Sequence, residues 1–344
     1  MMRNSGRFMG RNLPSKKHKV GNPTHRYLRY ILDHNPNDGD NDSHYIDIAQ
    51  GLSALNRRFY RQGLYYYVSG VTVHDSNQNA WVKFATAPDT WITKNSWVRA
   101  FRAWSKLNSV AAGAAGANDL AIAGKYHDFK VYLNDYHRTN ADSGLLPIGS
   151  LDYNSITGSF PNYVITPGAV PFESDEWTYS KLITGDPVNS DPQQVDEFFI
   201  HLLGPHVGSS GAFTSIGCVK SYADTKAQVE VTSPDLPPET SSDPILNLFD
   251  TGDNYDNILD DLENDSDEVP YDHDVYIGER ADDTLIVAQT ANSQGAGAVT
   301  RAPGFVVPFG LLEVITNAST AGKIEIVLEL ASGNYNGVAA ARVC

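Results

Sequence analysis

Residues 323–330, Lys-Ile-Glu-Ile-Val-Leu-Glu-Leu, alternate between apolar and mainly acidic side chains. Successive side chains of a β-strand point to opposite faces, so Ile324, Ile326 and Leu328 would share one face. Glu325 and Glu329 would then lie on the other face. This alternation predicts a strand in a sheet that packs against a core on one side only.

The composition of the whole chain favours the same kind of structure. Of its 344 residues, 41 % are hydrophobic and 19 % are charged, and the chain contains 28 Gly, 18 Pro and 18 Tyr. Aromatic residues combined with turn-forming residues are typical of short strands joined by loops. Further segments with strand character are 65–73, 80–85, 128–133, 177–183, 197–203, 215–222, 227–232, 275–278, 284–289 and 305–315.

These segments predict a mainly β fold. The turn residues Asp75, Ser76 and Asn77 separate the first two segments, which we therefore expect to form a hairpin. The strands are irregularly spaced and no repeat of fixed period occurs, which argues against solenoids and propellers. The pattern fits a β-sandwich or jelly roll better than a barrel of simple hairpins.

One helix is predicted over residues 93–108, where Thr93 or Asn95 can cap the start. Large apolar side chains recur there at spacings of four and three and form one stripe: Trp97, Phe101, Trp104 and Leu107. The cations lie mostly off that stripe: Arg99, Arg102 and Lys106. This favours a helix that is docked through its aromatic side chains over a helix whose cations bind nucleic acid.

The first 32 residues contain eight basic side chains and no carboxylate: Arg3, Arg7, Arg11, Lys16, Lys17, Lys19, Arg26 and Arg29. Residues 140–344, by contrast, hold 31 Asp/Glu against seven Lys/Arg. Few apolar residues anchor the basic segment, so we expect a mobile arm over residues 1–40 and a folded body over 41–344. Such an arm can neutralise phosphates without selecting a base sequence. An expression tag or an ordinary solvated terminus is the alternative.

A second basic cluster interleaves Arg57, Arg58 and Arg61 with Phe59 and Tyr60. Cations alternating with aromatic rings can hold a nucleic-acid strand through phosphate contacts and base stacking. Alternatively, the two rings anchor the loop in the core and the arginines pair with acidic residues of the body. The sequence leaves both interpretations open.

The most acidic stretch spans residues 250–268 and includes Asp253, Asp256, Asp260 and Asp261. Ca²⁺ takes six to eight oxygen ligands, so this density of carboxylates could hold a hard cation. The spacing does not match the EF-hand loop, and a solvated acidic loop is the alternative. No other cofactor is predicted.

The motifs of common enzyme classes are missing from the sequence. It contains no His-Glu-x-x-His, no Gly-x-Ser-x-Gly, and no phosphate-binding or dinucleotide-binding glycine motif. Isolated histidines such as His127 and His201 are expected to be structural. A non-enzymatic role is therefore expected. A membrane partner is not, because no apolar stretch approaches the length of a membrane span.

An ordered series of segments resembles the capsid proteins of small circular Rep-encoding single-stranded DNA viruses. The segments are 45–63, 87–91, 97–104, 127–132, 233–235, 243–244 and 247–250. The likeness runs from about residue 45 to residue 338. It involves no short catalytic motif.

The resemblance implies a viral jelly-roll capsid subunit that assembles with copies of itself into an icosahedral shell. The basic arm would line the interior and contact a single-stranded DNA genome, although many relatives carry a denser Arg-rich terminus. The implied location is the virion. Assembly would take place in the host cell, and in its nucleus if residues 16–19, Lys-Lys-His-Lys, act as an import signal.

Two other functions remain open at this point. A carbohydrate-binding β-sandwich, such as an attachment protein, would stack exposed aromatic side chains such as Trp177 on sugars. A glycoside hydrolase would need two carboxylates that face each other across a cleft. Neither function requires a mobile polycation, so the basic arm favours the capsid interpretation. No host receptor is predicted.

Overall fold

The computed structural model of the protein describes residues 23–34, 41–75, 81–114, 128–140, 144–148, 156–157, 164–165, 177–185, 195–209, 212–227, 277–279, 285–292, 299–317 and 322–343. In these residues the fold is mainly β, as predicted. The helices are α1 Ile48–Asn56, α2 Trp91–Ala114, α3 Asp135–Thr139 and α4 Cys218–Ala227, with a 3-10 turn at Pro308–Gly310. None of the described helices is both long enough and apolar enough to span a membrane.

The described strands are β1 Tyr27–His34, β2 Asp42–Asp47, β3 Leu64–Asp75, β4 Trp81–Thr86, β5 Ile156–Thr157, β6 Val164–Ile165, β7 Lys181–Gly185, β8 Val195–His201, β9 Val207–Ser209, β10 Ala212–Gly217, β11 Ile286–Asn292, β12 Val299–Val307, β13 Leu311–Asn317, β14 Gly322–Leu330, β15 Ser332–Gly333, β16 Gly337–Val338 and β17 Ala340–Arg342. Most of them belong to three sheets, and β5–β6 and β15–β16 form two short ribbons.

Two antiparallel sheets form the centre of the body. Sheet one has the strand order β1-β14-β3-β12, and β17 also pairs with the start of β3. Sheet two has the order β11-β4-β13-β2. A single apolar core contains buried side chains from both sheets, an arrangement consistent with a β-sandwich.

Strand β14 confirms the prediction made from its alternation. The side chains of Ile324, Ile326 and Leu328 are fully buried in the shared core. On the opposite face Glu325 forms an ion pair with Arg29 of β1. Burying each aliphatic side chain contributes about 1.5–3 kcal/mol, so these three side chains together contribute roughly 4.5–9 kcal/mol to the core.

The predicted hairpin between segments 65–73 and 80–85 is wrong, although both segments are strands. Both edges of β3 are occupied, by β12 on one side and by β14 and β17 on the other. Both edges of β4 are likewise occupied, by β11 and β13. The chain therefore crosses from sheet one to sheet two between these strands, because each strand buries one face in the shared core.

The predicted boundary between arm and body at residue 40 is also wrong. Residues 27–34 form β1, which pairs with β14 along its whole length. Leu28, Tyr30 and Leu32 alternate along it and are fully buried, so this strand belongs to the core. The expectation of a mobile arm remains for residues 1–22, which lie outside the described residues.

The described parts of the stretch between β4 and β11 form a second layer beside sheet two. It contains sheet three, with the order β7-β8-β10-β9, in which β8 and β10 are parallel. A second apolar cluster joins this layer to Tyr45 and Leu311 of sheet two, through side chains that include Trp97, Phe129 and Leu133. One part of the predicted strand at 215–222 is helical, because the chain turns into α4 at Cys218.

Helix α2 begins at Trp91, two residues before the predicted start, and Thr90 caps it by accepting a hydrogen bond from the backbone N–H of Thr93 at 3.2 Å. Its docking through an aromatic stripe is confirmed for Trp97 and Trp104, which are both buried. Phe101 departs from the prediction because 41 % of it is exposed, although its ring contacts that of Phe129.

Candidate nucleic-acid interface

The structure describes five of the eleven basic residues predicted to contact nucleic acid: Arg26, Arg29, Arg57, Arg58 and Arg61. The other six lie outside the described residues: Arg3, Arg7, Arg11, Lys16, Lys17 and Lys19. The same applies to His127 and to the predicted cation ligands Asp253, Asp256, Asp260 and Asp261. Within the described ranges, no group of three or more His, Cys, Asp or Glu side chains could hold a metal ion.

Helix α1 determines where the cluster at residues 57–61 lies. The carboxylate of Asp47 caps the start of α1 by accepting hydrogen bonds from the backbone N–H groups of Ala49 (3.0 Å) and Gln50 (3.2 Å). The helix ends at Asn56, and its C-cap residue Arg57 has the left-handed backbone conformation at φ 52°. The chain reverses there, so that Tyr60 donates its N–H to the hydroxyl of Ser53 at 2.9 Å.

Residues 24–26 lie directly beside this turn. The backbone N–H of His25 donates to Asn56 Oδ1 at 2.8 Å, and Asn56 Nδ2 donates to the carbonyl of His25 at 3.0 Å. Thr24 Oγ1 donates to the carbonyl of Asn336 at 2.8 Å. The segment that connects to residues 1–22 therefore meets the body next to Arg57 and Arg58.

The arginines of this surface differ in their surroundings. Arg58 Nη1 is 3.5 Å from Thr24 Oγ1, while Arg61 Nε is 2.7 Å from Asp128 Oδ2 with 65 % of its side chain exposed. Arg26 Nη1 donates to the carbonyl of Leu330 at 3.1 Å. Arg57 is exposed at the turn. Arg57 and Arg58 thus lie at the turn beside residues 24–26, and Asp128 already balances Arg61.

Arg29 lies apart from the turn at residues 57–61 and is paired with a carboxylate. Its guanidinium is paired with Glu325 on the outer face of sheet one, and only 16 % of its side chain is exposed. Glu325, on the neighbouring strand β14, neutralises the charge of Arg29. Arg29 is therefore better explained as a cross-strand partner than as a phosphate contact.

The two rings of the cluster follow the second of the two interpretations that the sequence left open. Tyr60 is fully buried and its hydroxyl donates to the carbonyl of Asn336 at 3.0 Å. Phe59 packs against Trp177, with ring centroids 6.0 Å apart. Tyr60 is therefore not available for stacking on bases, and the half-buried Phe59 packs against the core, whereas Arg57 is exposed at the surface.

The buried carboxylate of Asp47 binds side chains next to the turn at residues 57–61. Asp47 Oδ2 accepts hydrogen bonds from Gln62 Nε2 at 2.5 Å and from Trp177 Nε1 at 3.1 Å. Burial raises the pKa of Asp47 to about 6, against the effect of these donors. Lys130 lies over the rings of Trp177 (4.7 Å) and Phe59 (5.4 Å), and burial lowers its pKa.

Trp177 is therefore not an exposed platform for sugars, since it is only 8 % exposed and its indole N–H is bound to Asp47. His201 is a structural histidine, as predicted. It lies 2.6 Å from Ser215 Oγ and 2.9 Å from the carbonyl of Pro205. Desolvation by burial lowers its pKa to about 4.

Sequence patterns did not reveal the roles of Thr24, His25, Asn56 and Asn336 in this surface. Their contacts join residues 31 and 312 positions apart, so no local spacing could have indicated them. The surface offers guanidinium groups on a turn that is held by the hydrogen bonds of Tyr60 to Ser53 and Asn336. Guanidinium groups bind phosphate oxygens. Comparison with family models, with curated proteins and with solved structures finds no match for this chain.

Proposed function

We propose that this protein is a jelly-roll capsid subunit that assembles with copies of itself into an icosahedral shell around single-stranded DNA. The observation that carries the proposal is the pairing of the eight strands of the two central sheets. In chain order they are β1, β2, β3, β4, β11, β12, β13 and β14.

Their pairing is nested. The first strand pairs with the eighth, the second with the seventh, the third with the sixth and the fourth with the fifth. The first four strands and the last four strands thus form the two halves of one long antiparallel ribbon. Rolling up this ribbon produces the observed order of strands. Among antiparallel all-β folds, the double sheet of eight strands is the jelly roll. It is found in viral capsid proteins and also in lectins and cupins.

The distribution of charge favours a capsid subunit over the other jelly-roll classes. The basic segment joins the body beside Arg57 and Arg58, which extend its positive charge onto a rigid turn. A shell protein needs such a surface toward a genome, because cations that neutralise phosphates release counterions. A sugar-binding protein does not need it, and the buried position of Trp177 removes the aromatic side chain expected for that function.

The remaining parts of the proposal follow from this function. The protein acts without catalysis and is located in the virion, and its partners are further copies of the chain and the genome. Asp253, Asp256, Asp260 and Asp261 are proposed to bind Ca²⁺ between or within subunits. Assembly takes place in the nucleus if residues 16–19 direct import.

The full-length protein tests the proposal directly. We expect uniform hollow or filled particles by electron microscopy, together with nucleic acid that resists nuclease until the particles are disrupted. A matched variant changes the six cations of residues 1–22 to Gln and should form particles with much less nucleic acid. A monomeric protein without bound nucleic acid would contradict the proposal.

A further inference from the structure

Helix α2 has an exposed face on which every charged side chain is positive. Arg99, Arg102 and Lys106 follow one another at spacings of three and four residues, so they share one face of the helix, and each is exposed. The buried rings of Trp97 and Trp104 lie on the opposite side. The 24 residues of α2 contain no Asp or Glu. We call Arg99, Arg102 and Lys106 the cationic face.

The described residues leave the charge of the cationic face unbalanced. Arg99 Nη1 donates to the backbone carbonyl of Ser221 at 2.9 Å, and this acceptor is uncharged. No described carboxylate forms an ion pair with Arg102 or Lys106. Lys94, the remaining cation of α2, differs because its Nζ lies 2.9 Å from Asp89 Oδ1. Exposed cations are common on protein surfaces, so the cationic face indicates a partner only if another feature of the chain fits it.

The amino-acid sequence contains one long segment of the opposite charge. Residues 228–276 hold 15 Asp and Glu and no Lys or Arg. The whole chain has 41 acidic and 26 basic side chains, so removing these 15 carboxylates leaves 26 of each sign. The entire net charge of −15 therefore belongs to this segment. We call residues 228–276 the polyanionic segment, and it lies outside the described residues.

The polyanionic segment begins beside the cationic face. It follows α4, which packs along α2. The ring of Tyr222 contacts the ring of Trp91, with centroids 6.2 Å apart, and the neighbouring Ser221 accepts the hydrogen bond from Arg99. Helix α4 ends at Ala227, about 9 Å along the helix axis from Ser221. The first carboxylates of the segment therefore enter the chain close to the three cations.

The other end of the polyanionic segment returns to the same helix. Lys220 Nζ lies 2.6 Å from Glu279 Oε1, and the N–H of Gly204 donates to the carbonyl of Gly278 at 2.7 Å. Lys220 directly precedes Ser221, which accepts the bond from Arg99. The segment thus leaves and re-enters the described structure at α4. A segment that is attached near a surface at both ends is present there at a high effective concentration.

We infer that the cationic face of α2 binds the polyanionic segment of the same chain. Charge complementarity supports this choice, since the segment has no Lys or Arg with which to pair and α2 has no carboxylate. The attachment of both ends to α4 favours the same chain over a second copy, because copies with a net charge of −15 repel each other. Nucleic acid is disfavoured on this face for the same reason, since its phosphates would approach 15 tethered carboxylates.

The contact is electrostatic and therefore sensitive to salt. Single exposed ion pairs contribute about 1 kcal/mol or less, so the binding comes from several weak pairs and from the tether. It gives the cations of α2 a partner other than the genome. The inference uses the chain alone and does not depend on the capsid proposal.

Zero-length cross-linking of the full-length protein tests the inference. A carbodiimide joins a lysine amine to a nearby carboxylate as an amide, with loss of water, and Lys106 is the one lysine of the cationic face. We expect Lys106 to be linked to Asp or Glu of residues 228–276, as identified by mass spectrometry of peptides. The Lys94–Asp89 link serves as the internal standard, since this pair is 2.9 Å apart. A chelator is included because divalent cations compete for the same carboxylates.

Two conditions distinguish a tethered contact from other contacts. The yield at Lys106, relative to the standard, should stay constant when the protein is diluted, because both partners belong to one chain. It should fall at least about fivefold in 1 M salt, where the screening length is about 3 Å.

A pair of matched variants tests the role of the face. Arg99→Gln combined with Arg102→Gln removes two of its charges and keeps the reactive Lys106, so the yield should fall at least about threefold. The control is Lys181→Gln combined with Arg301→Gln, the same change of charge at two exposed cations that are paired with Glu197 and Glu329. The control should leave the yield at Lys106 unchanged. The melting temperatures of both variants show that the fold is retained.

Three results would overturn the inference. The first is a Lys106 that is not linked to residues 228–276 although the standard forms. The second is a yield that decreases on dilution, which would identify the segment of a second copy as the partner. The third is loss of the links when a single-stranded DNA oligonucleotide is added, with the standard unchanged, which would assign the face to nucleic acid. None of these results depends on whether particles form, so the capsid proposal is tested separately.

Discussion

The indole N–H of Trp177 donates a hydrogen bond to the carboxylate of Asp47, with 3.1 Å between Nε1 and Oδ2. The two residues are 130 positions apart in the chain. Asp47 caps helix α1 with its other oxygen, so one buried carboxylate connects the stretch after β4 to the turn that carries Arg57. The position of the proposed phosphate-binding surface depends on this connection.

We expect Trp177→Phe to lower the free energy of unfolding by about 1–3 kcal/mol, because it keeps a ring in place but leaves a buried carboxylate oxygen with one donor fewer. Urea denaturation followed by circular dichroism measures the change. Trp91→Phe is the control, since Trp91 is 38 % exposed and its replacement should change stability by less than about 0.5 kcal/mol. Equal effects of the two substitutions would show that the bond to Asp47 contributes nothing.

The pKa of Asp47 makes stability depend on pH. Burial raises it from 3.8 to about 6 in the folded protein, so the folded state holds this proton more tightly than the unfolded chain does. The contribution is fully present below about pH 4 and is lost as the pH rises through about 6, a change on the order of 2–3 kcal/mol.

Asp47→Asn separates this contribution from other titrating groups, because asparagine does not ionise. Unfolding free energies of both proteins should be measured between pH 4 and pH 7.5. The stability of the unchanged protein relative to Asp47→Asn should decrease as the pH rises. A difference between them that is constant over this range would contradict the prediction.

Helix α2 should tolerate changes to its cations but not to its buried rings. Trp97→Ala or Trp104→Ala should cost roughly 3–5 kcal/mol and reduce soluble yield, because each removes a buried aromatic side chain. Phe101→Ala should cost clearly less, since that side chain is 41 % exposed. Thermal denaturation measures all three. The double variant Arg99→Gln and Arg102→Gln provides the comparison, and a larger loss from it than from Trp97→Ala would reverse the assignment of the two faces.

Arg57→Gln combined with Arg58→Gln should weaken binding to a single-stranded DNA oligonucleotide of any sequence. The slope of log affinity against log salt should become shallower by about 1.4, because two phosphate contacts are lost. Fluorescence anisotropy at several salt concentrations measures both quantities. Arg301→Gln is the control on the outer face of sheet one, where Arg301 is paired with Glu329. An unchanged slope in the double variant would exclude these arginines from the interface.

Calcium should raise the melting temperature if the acidic stretch binds it. The gain should disappear after chelation and in a variant with Asp253→Asn, Asp256→Asn, Asp260→Asn and Asp261→Asn. Neutralising mutually repelling carboxylates is the physical reason for the gain. A melting temperature that neither calcium nor the chelator alters would leave this stretch as a solvated acidic loop.

The amino-acid sequence by itself determined which side chains face the core within single elements. The alternation in β14 reflects the period of a strand, and the spacing of Trp97 and Trp104 in α2 reflects the period of a helix. Both predictions are confirmed. The aromatic and turn-forming composition was likewise enough to predict a mainly β fold. Such properties depend on neighbours a few residues away, so a linear pattern contains them.

Only the tertiary structure decided which strands pair and which residues meet. β3 pairs with β12, β14 and β17, which are distant in the chain, because two sheets must close over one core. The turn-forming residue types at positions 75–77 could not reveal this pairing. The burial of Trp177 against Asp47 and the meeting of Thr24 with Asn336 are equally non-local. A period along the chain specifies the face of an element, whereas its partner is specified by the shape and free edges of the whole fold.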